Sequence, residues 1–490
     1  MVIIIGGGAT GLGVAWDLIL RGIPVTVVES GDIGAGTSGR FHGLLHSGAR
    51  YVVTDPVSAK QCRDENIVLR RIAPSAIETI GGYFVAVDEI GESFIPRWKD
   101  AARACDIPVR EVDRDTLFRR LPELNREASR GFFVRDAVLE GFKLLYLLRS
   151  NIEKHGGTVL THATVTGVQE LNGRVTGVTV RTGSYDRMLP ADAIVNASGP
   201  WAADVARLFG DQVGMHLTSG LMLIYANRMV QHIVNRLALP GDGDILVPHG
   251  HTVILGTTEV AQARPESPQP TREEANYLHQ LGQKLFPAMR RWRVLRAFTG
   301  VRPLFESDPK DAAARQSRDF RVLDHGARSG LIGAFSIVGG KWTTYRLMAQ
   351  QTGDAVTRYL GQSRPSLSAR TILEPAEAGE RRPGRMICEC EAVTEDELCQ
   401  HLNEPMDAWR SRLWFAMGPC QGAICAHRGA ALRVTHDGVL RAVSELRALR
   451  QERDRGIEPV AWGDNARELA FKEALVGQTL AEGDIRVQGR

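Results

Sequence analysis

Four of the seven cysteines in the chain fall in two short stretches, Cys388 and Cys390 in "MICECEAV" and Cys420 and Cys425 in "GPCQGAIC". One residue separates the first pair, four separate the second, and 29 lie between the pairs. Thiolates suit zinc or an iron–sulfur cluster. Two cysteines one residue apart point the same way in an extended chain, so the first pair can chelate one iron. Gly418, Pro419 and Gly422 surround the second pair, where glycine lets N–H groups approach cluster sulfurs. Zinc ribbons generally place two residues between ligands, so the spacing favours a [2Fe-2S] cluster on these four residues over zinc. An empty or redox-disulfide site is the remaining reading. Cys399 reads as a packing residue, and Cys62 and Cys105 stand alone.

A second chemistry is written at the amino terminus, "VIIIGGGATGLGVAWDLILRGIPVTVVES". Gly6, Gly8 and Gly11 sit between an apolar run and a helical pattern. Gly6 permits a tight turn, Gly8 lets a pyrophosphate approach the backbone, and Gly11 lets helix pack on strand. The helix N-terminus then offers unpaired N–H groups to phosphates. Glu29, at the end of the second apolar strand, is placed to accept hydrogen bonds from an adenosine ribose. A dinucleotide is expected here. The long loop that follows, "GDIGAGTSGRFHGLLHSGARYV", could wrap a cofactor larger than NAD. Later, "ADAIVNASGPWA" reads as another buried strand. "GLIGAFSIVGGKWTTYRLMAQQTGDAV" reads as a strand, a Gly339-Gly340 turn and a helix, so the nucleotide domain returns after intervening segments.

The elements that position these groups lie in an ordinary globular composition, 43% apolar and 24% charged. A formal charge of +3 with interspersed signs carries no nucleic-acid footprint. No apolar run approaches the ~18 residues needed to cross a bilayer. "MVIIIGGG" lacks the marks of a signal peptide, so a reducing cytoplasm is expected, where clustered cysteines more often bind metal or act in catalysis. Residues 362–385, rich in Pro, Arg, Ser and Glu, read as a linker. Beyond it, Thr394 and Glu397 form a capping box. Val439, Val443, Leu446 and Leu449 recur at helical spacing, with Arg441, Arg447, Arg450 and Arg453 on other faces. That pattern reads as a helix packed on its own module rather than on a membrane surface.

In this order, "GGGATGLG", "GLLHSGARY", "NASGPWA", "DILVP", "LGTTE", "GVRPL" and "GGKWTTYR" resemble the FAD-dependent glycerol-3-phosphate dehydrogenases. "CECEAVT", "GPCQGAIC" and "AWGDNARE" resemble the large (A) subunit of the anaerobic enzyme. The resemblance implies an α/β protein with an α+β substrate part. Its core would be a D-amino-acid-oxidase-like FAD-binding Rossmann-type fold with an inserted substrate domain, followed by a module like bacterioferritin-associated ferredoxin. It places the flavoprotein at residues 1–361, with FAD-binding pieces near 1–75, 145–210 and 325–361, and substrate pieces at 76–144 and 211–324. A cysteine-rich module at 386–430 and a helical extension at 431–490 follow.

The resemblance also implies oxidation of sn-glycerol 3-phosphate to dihydroxyacetone phosphate. Electrons would pass through the cluster and two further subunits to membrane quinone, with the chain peripheral at the cytoplasmic face through a partner. FAD would be held by Gly6, Gly8, Gly11, Glu29, Thr37, Ser38, Ser198, Gly199, Gly339 and Gly340, with His46 and Lys341 beside the flavin. Arg50, Tyr51, Arg302 and Lys341 match the family's phosphate and substrate contacts, and Arg346 is a weaker candidate. His46, Arg302 and Lys341 form the catalytic set, with His46 as candidate acceptor of the hydroxyl proton and His42 as its rival. The chain has Ser219 before Gly220 where the family usually has a basic residue followed by Gly-Ser. A flavin dehydrogenase of a 2-hydroxy acid or amino acid is the alternative in the same fold. A non-catalytic electron carrier is the alternative from another class.

Overall fold

The computed structural model describes residues 1–305, 319–375 and 384–480. A six-stranded sheet organises the nucleotide-binding part, in the order Phe320–Asp324, Ala334–Gly339, Ala193–Asn196, Val2–Ile5, Val25–Val28, Thr158–Leu160. All its pairings are parallel except that of the edge strand Phe320–Asp324. The first strand shows why its apolar run is continuous. Val2 and Ile4 face the helices, whereas Ile3 and Ile5 face Val175, Val178 and Val180 of an antiparallel three-stranded sheet on the other side. A strand covered on both faces has no polar side to alternate with.

Helix Ala9–Leu20 starts at Gly8 and ends against Gly22, whose φ of +73° suits the left-handed position after a helix. It packs between the helices Gly141–Lys154 and Tyr345–Tyr359. The substrate part is a large mixed sheet in which the long strands Met215–Ala226 and Val294–Phe305 pair antiparallel along their length.

Three expected boundaries move. Strand Phe320–Asp324, expected in the substrate part, completes the nucleotide sheet, because it hydrogen-bonds to Ala334–Gly339. The linker is packed in its first half: Leu373 is buried in the nucleotide core, its N–H bonds the Ile72 carbonyl, and Arg364 bonds the Arg21 carbonyl. Residues 376–383 lie outside the described residues. The helical extension is continuous with the cysteine module, since helix Cys425–Asp437 runs through the expected division at 430.

The capping box forms as read, with Thr394 and Glu397 exchanging hydrogen bonds. In helix Val439–Ile457, Leu446 and Leu449 are buried in the cysteine module's core, and Val439 is exposed. Arg453, read as lying on another face than this apolar stripe, is buried as well. Cys399 is exposed rather than packed, while Cys62 and Cys105 share one buried cluster.

The module is docked on both other parts. Trp414 packs its ring against Phe142 of the nucleotide part and His249 of the substrate part, at 6.2 and 4.9 Å between centroids. The Arg412 guanidinium lies 4.4 Å over the Tyr146 ring, and Val460 joins the substrate core.

Candidate active site and thiol cluster

A cavity of about 550 Å³ opens at the carboxyl ends of the parallel strands, where ligands of open α/β sheets bind. It is lined by Gly6, Gly8, Glu29, Thr37 and Ser38 from the amino-terminal segment. Ser198, Gly199, Gly339, Gly340 and Lys341 close it from the two later returns of the chain. Gly11 is the one expected glycine of the cradle that does not line it. A Cβ there would stand 1.9 Å from the Gly6 carbonyl oxygen, so Gly11 serves the helix–strand contact. The Glu29 carboxylate accepts from the N–H groups of Gly7 at 2.6 Å and Gly31 at 2.8 Å, which fixes it at the cavity rim. Ser38 Oγ accepts from the Ala9 N–H at 3.0 Å and so ties the loop to the helix N-terminus.

A second cavity of about 530 Å³ shares Thr37, Pro303, Gly340, Lys341 and Trp342 with the first. Its wall brings together His46, Arg50, Tyr51, Arg302 and Lys341, which lie far apart in sequence. Each is held by its neighbours. Arg302 donates to Thr257 Oγ1 and to the Thr258 carbonyl at 3.1 Å. Gly220 makes room for it, because a Cβ there would stand 2.4 Å from the guanidinium. Lys341 Nζ donates to Ser58 Oγ at 2.6 Å and lies 5.2 Å from the Tyr51 ring centroid.

Arg50 pairs with Asp244 at 2.8 Å; burial opposes its charge, and Asp244 more than offsets this, so the guanidinium stays cationic. His46 Nε2 stands 3.4 Å from the Tyr51 hydroxyl, and His42 packs edge-on to the His46 ring. Trp342 stacks on Phe41 at 5.2 Å and donates to the Ser38 carbonyl at 2.9 Å, forming the partition where the two cavities join. Ser219 is buried behind this wall, its Oγ accepting from Gln262 at 2.9 Å and its carbonyl from Arg302 at 3.5 Å.

Arg346 is a correction. Its guanidinium forms a buried two-armed ion pair with Glu65 at 2.8 and 2.5 Å and also bonds Gln350 and Ser368. Helix Tyr345–Tyr359 turns it away from the cavity that Lys341 enters, so it ties this helix to Pro56–Ile72. Arg346→Met should therefore destabilise the fold by about 3–5 kcal/mol, because it strands a buried carboxylate. Thermal denaturation of the cofactor-loaded variant checks this; a cavity cation would instead alter substrate affinity at unchanged stability.

Sequence reasoning missed Asp244, Thr257 and Ser58, the groups that hold the cations. Asp244 was visible as an acid opening the apolar strand Ile245–His249, and Thr257 lies in the quoted "LGTTE". Ser58 carried no local signal.

The four clustered cysteines come together in one buried core. The Cys425 thiol contacts both Cys388 and Cys420, and Cys420 contacts Cys390. The hydrogen bond with Cys425 pulls Cys388 down to about 6 and Cys420 to about 5, with backbone N–H groups of Ala416, Glu391, Gly422 and Ile424 assisting. Cys425 itself is pushed up by the same contacts, and Cys390 by burial. A Cβ at Gly418 would lie 2.2 Å from the Cys390 Cβ, so only glycine permits this approach. Among the described residues no set of three or more His, Cys, Asp or Glu groups converges as for a single metal ion. The thiols are arranged as a chain of contacts that pairs residues from the two sequence stretches.

Residues 1–355 match the family of FAD dependent oxidoreductases (DAO). The chain is 38% identical to the A subunit of the anaerobic glycerol-3-phosphate dehydrogenase of Escherichia coli, over 96% of this chain and 95% of that protein. The chain belongs to the DAO family. Among relatives, the A1 subunit of the anaerobic glycerol-3-phosphate dehydrogenase of Haloferax volcanii is 36% identical over 98% of this chain and 90% of its own length. The glycerol-3-phosphate dehydrogenase of Bacillus halodurans, solved with FAD, shares the fold at a TM-score of 0.60 and 20% identity, covering 98% of this chain and 90% of its own.

As a DAO-family oxidoreductase the chain binds FAD, and the larger strand-end cavity fits it by its glycine-lined floor, the Glu29 carboxylate at its rim and the start of helix Ala9–Leu20 in its wall. Gly11→Ala should cost about 1–3 kcal/mol by overpacking against Gly6. The purified variant should then carry little FAD, read from the flavin absorbance-to-protein ratio; full flavin content would refute the packing role.

Proposed function

We propose that the chain oxidises sn-glycerol 3-phosphate to dihydroxyacetone phosphate. It would deliver the electrons through a [2Fe-2S] centre and two further subunits to membrane quinone. The observation that carries this reading is the convergence of Arg302, Lys341 and the Arg50–Asp244 pair in a cavity that opens into the FAD cavity beside His46. Bound FAD supplies the hydride acceptor. Arg302 and Lys341 clamp the phosphate, with guanidinium and ammonium serving as complementary fixed cations. That clamp sets the secondary alcohol against the Trp342 partition, where the cavities meet. His46 Nε2, oriented by the Tyr51 hydroxyl, accepts the alcohol proton as the C–H hydride leaves. Trp342, Met222 and Leu304 give the cavity apolar surface that excludes water from the transfer.

The donor set fits a [2Fe-2S] centre. Four thiols fall in two pairs, glycine makes room beside Cys390, and backbone N–H groups face the sulfurs. Such a centre would turn a two-electron oxidation into single-electron delivery to a protein partner. Further subunits are supported by the naming of the relatives as parts of a larger enzyme. Membrane association through a partner, at the cytoplasmic face, agrees with the finding that no described helix is long and apolar enough to cross a bilayer.

The test is an anaerobic visible spectrum before and after sn-glycerol 3-phosphate, with glycerate and amino acids as controls. Bleaching of the flavin band by glycerol 3-phosphate alone is expected. Bleaching by an amino acid or by glycerate instead would overturn the substrate assignment.

A further inference from the structure

His46 lies just past the end of strand Leu44–Leu45, before a turn in which Gly48 takes a φ of +94°. Leu45, His46 and Ser47 are all buried, so their peptide groups must find partners within the protein. Three side chains from separate stretches of sequence serve them. The Asn66 amide, on helix Pro56–Ile72, donates to the Leu45 carbonyl at 3.1 Å. Thr343 Oγ1, in the turn just beyond Lys341 and Trp342, accepts from the His46 N–H at 3.3 Å. Asp136 Oδ1, between strands Arg130–Val134 and Ala137–Leu139, accepts from the Ser47 N–H at 2.8 Å.

The groups that hold this segment are themselves fixed. Asn66, Asp136 and Thr343 are 3%, 2% and 1% exposed. Asn66 also donates to the Arg135 carbonyl at 3.4 Å, and Asp136 Oδ2 accepts from Asn235 Nδ2 at 3.2 Å. Burial pushes the Asp136 carboxyl up from the usual carboxylate range, yet Oδ1 keeps a lone pair for Ser47 in either protonation state. The hold on the backbone therefore does not depend on charge. The peptides on both sides of the His46 Cα are pinned, while its ring stands against the Tyr51 hydroxyl and the edge-on His42 ring.

A proton acceptor must come within a hydrogen bond's length of the alcohol, and a misplacement of about 1 Å costs up to about 100-fold in rate. We propose that Thr343 and Asp136 are positioning residues for the oxidation: through these two backbone hydrogen bonds they hold the His46 imidazole where it meets the substrate hydroxyl. This role rests on His46 being the proton acceptor of the proposed function. The Thr343 bond also ties His46 to the turn that carries Lys341 and the Trp342 partition, so proton acceptor and phosphate cation move as one unit.

The test is the anaerobic rate of flavin reduction in the FAD-loaded chain, followed by stopped flow over a range of glycerol 3-phosphate concentrations. Thr343→Val keeps the shape and removes the acceptor oxygen, whereas Thr343→Ser keeps the oxygen. Asp136→Ala and Asp136→Asn form the matching pair. The Asn235 Oδ1, which has no hydrogen-bond partner among the described residues, can accept from the new amide. Thr343→Val and Asp136→Ala should lower the limiting rate by about 10–100-fold at unchanged half-saturation. Thr343→Ser and Asp136→Asn should recover most of that loss. The role is overturned if Thr343→Val with full FAD reduces at the wild-type rate, or if Thr343→Ser is as slow as Thr343→Val. It is also overturned if the loss appears as weaker substrate binding at an unchanged limiting rate, which would place the effect on Lys341. Should Asp136→Ala fail to hold FAD, the Thr343 pair decides alone. His46→Asn separates the two claims. At the wild-type rate it overturns the proton-acceptor reading itself; slow, beside an unimpaired Thr343→Val, it overturns only the positioning role.

Discussion

Arg302→Met should keep its FAD and lose about 10²–10³ in kcat/KM for sn-glycerol 3-phosphate. Removing one partner of a desolvated charge pair costs about 2–5 kcal/mol, and each ~1.4 kcal/mol is a decade. The side chain is positioned for that role by Thr257, Thr258 and the absence of a Cβ at Gly220. It does not line the flavin cavity, so flavin content should be normal. Glycerol itself provides the internal control. It has no phosphate to clamp, so wild type and variant should oxidise it equally slowly. If the variant were equally impaired with glycerol, Arg302 would be acting on the chemistry or the fold. Lys341 lines both cavities, and Lys341→Met should accordingly reduce FAD retention as well as substrate affinity.

Cys420→Ser should eliminate bound iron and its visible absorption, while substrate still bleaches the flavin. Reduction of a quinone analogue by the assembled complex should fall by at least about 100-fold, since hydrogen-bonded serine does not replace a thiolate ligand to iron. Cys420 is the informative choice because it contacts both Cys425 and Cys390 within the cluster. Cys399→Ser, exposed and outside that cluster, should change neither iron nor electron delivery. Iron analysis of the anaerobically purified variants settles the matter: unchanged iron in Cys420→Ser would sink the ligand assignment, whatever the activity.

The glycine fingerprint was legible because it is local physics. A strand, a turn with φ of +114° at Gly6 and a helix N-terminus are fixed by neighbouring residues. The cavity cations were legible through motif order, which brought Arg50, Arg302 and Lys341 forward without any contact being visible. Arg346 misled for the complementary reason. It is close to Lys341 in the chain but lies on a helix, and a few residues of helix are enough to turn a side chain to the opposite face. Its partner, Glu65, is 281 residues away, beyond the reach of any local pattern. Asp244 and Ser58 were hidden in the same way, because a residue that holds a functional cation needs no motif of its own. The packed half of the linker was missed because Leu373 is one apolar anchor in a polar stretch, and a single anchor has no period.

The wedging of Trp414 between Phe142 and His249 bears on how electrons would leave the flavin in the proposed relay. A carrier on a tether must swing, and its turnover slows as the solvent thickens. Here the thiol module is clamped to both halves of the flavoprotein, by Trp414 and Tyr146 on one side and by Val460 in the substrate core on the other. In the proposed relay the donor–acceptor gap would therefore be set by tertiary packing, like two components soldered to one board, and internal transfer should be indifferent to viscosity. A viscosity-dependent step would then belong to the handover to the proposed partner subunit.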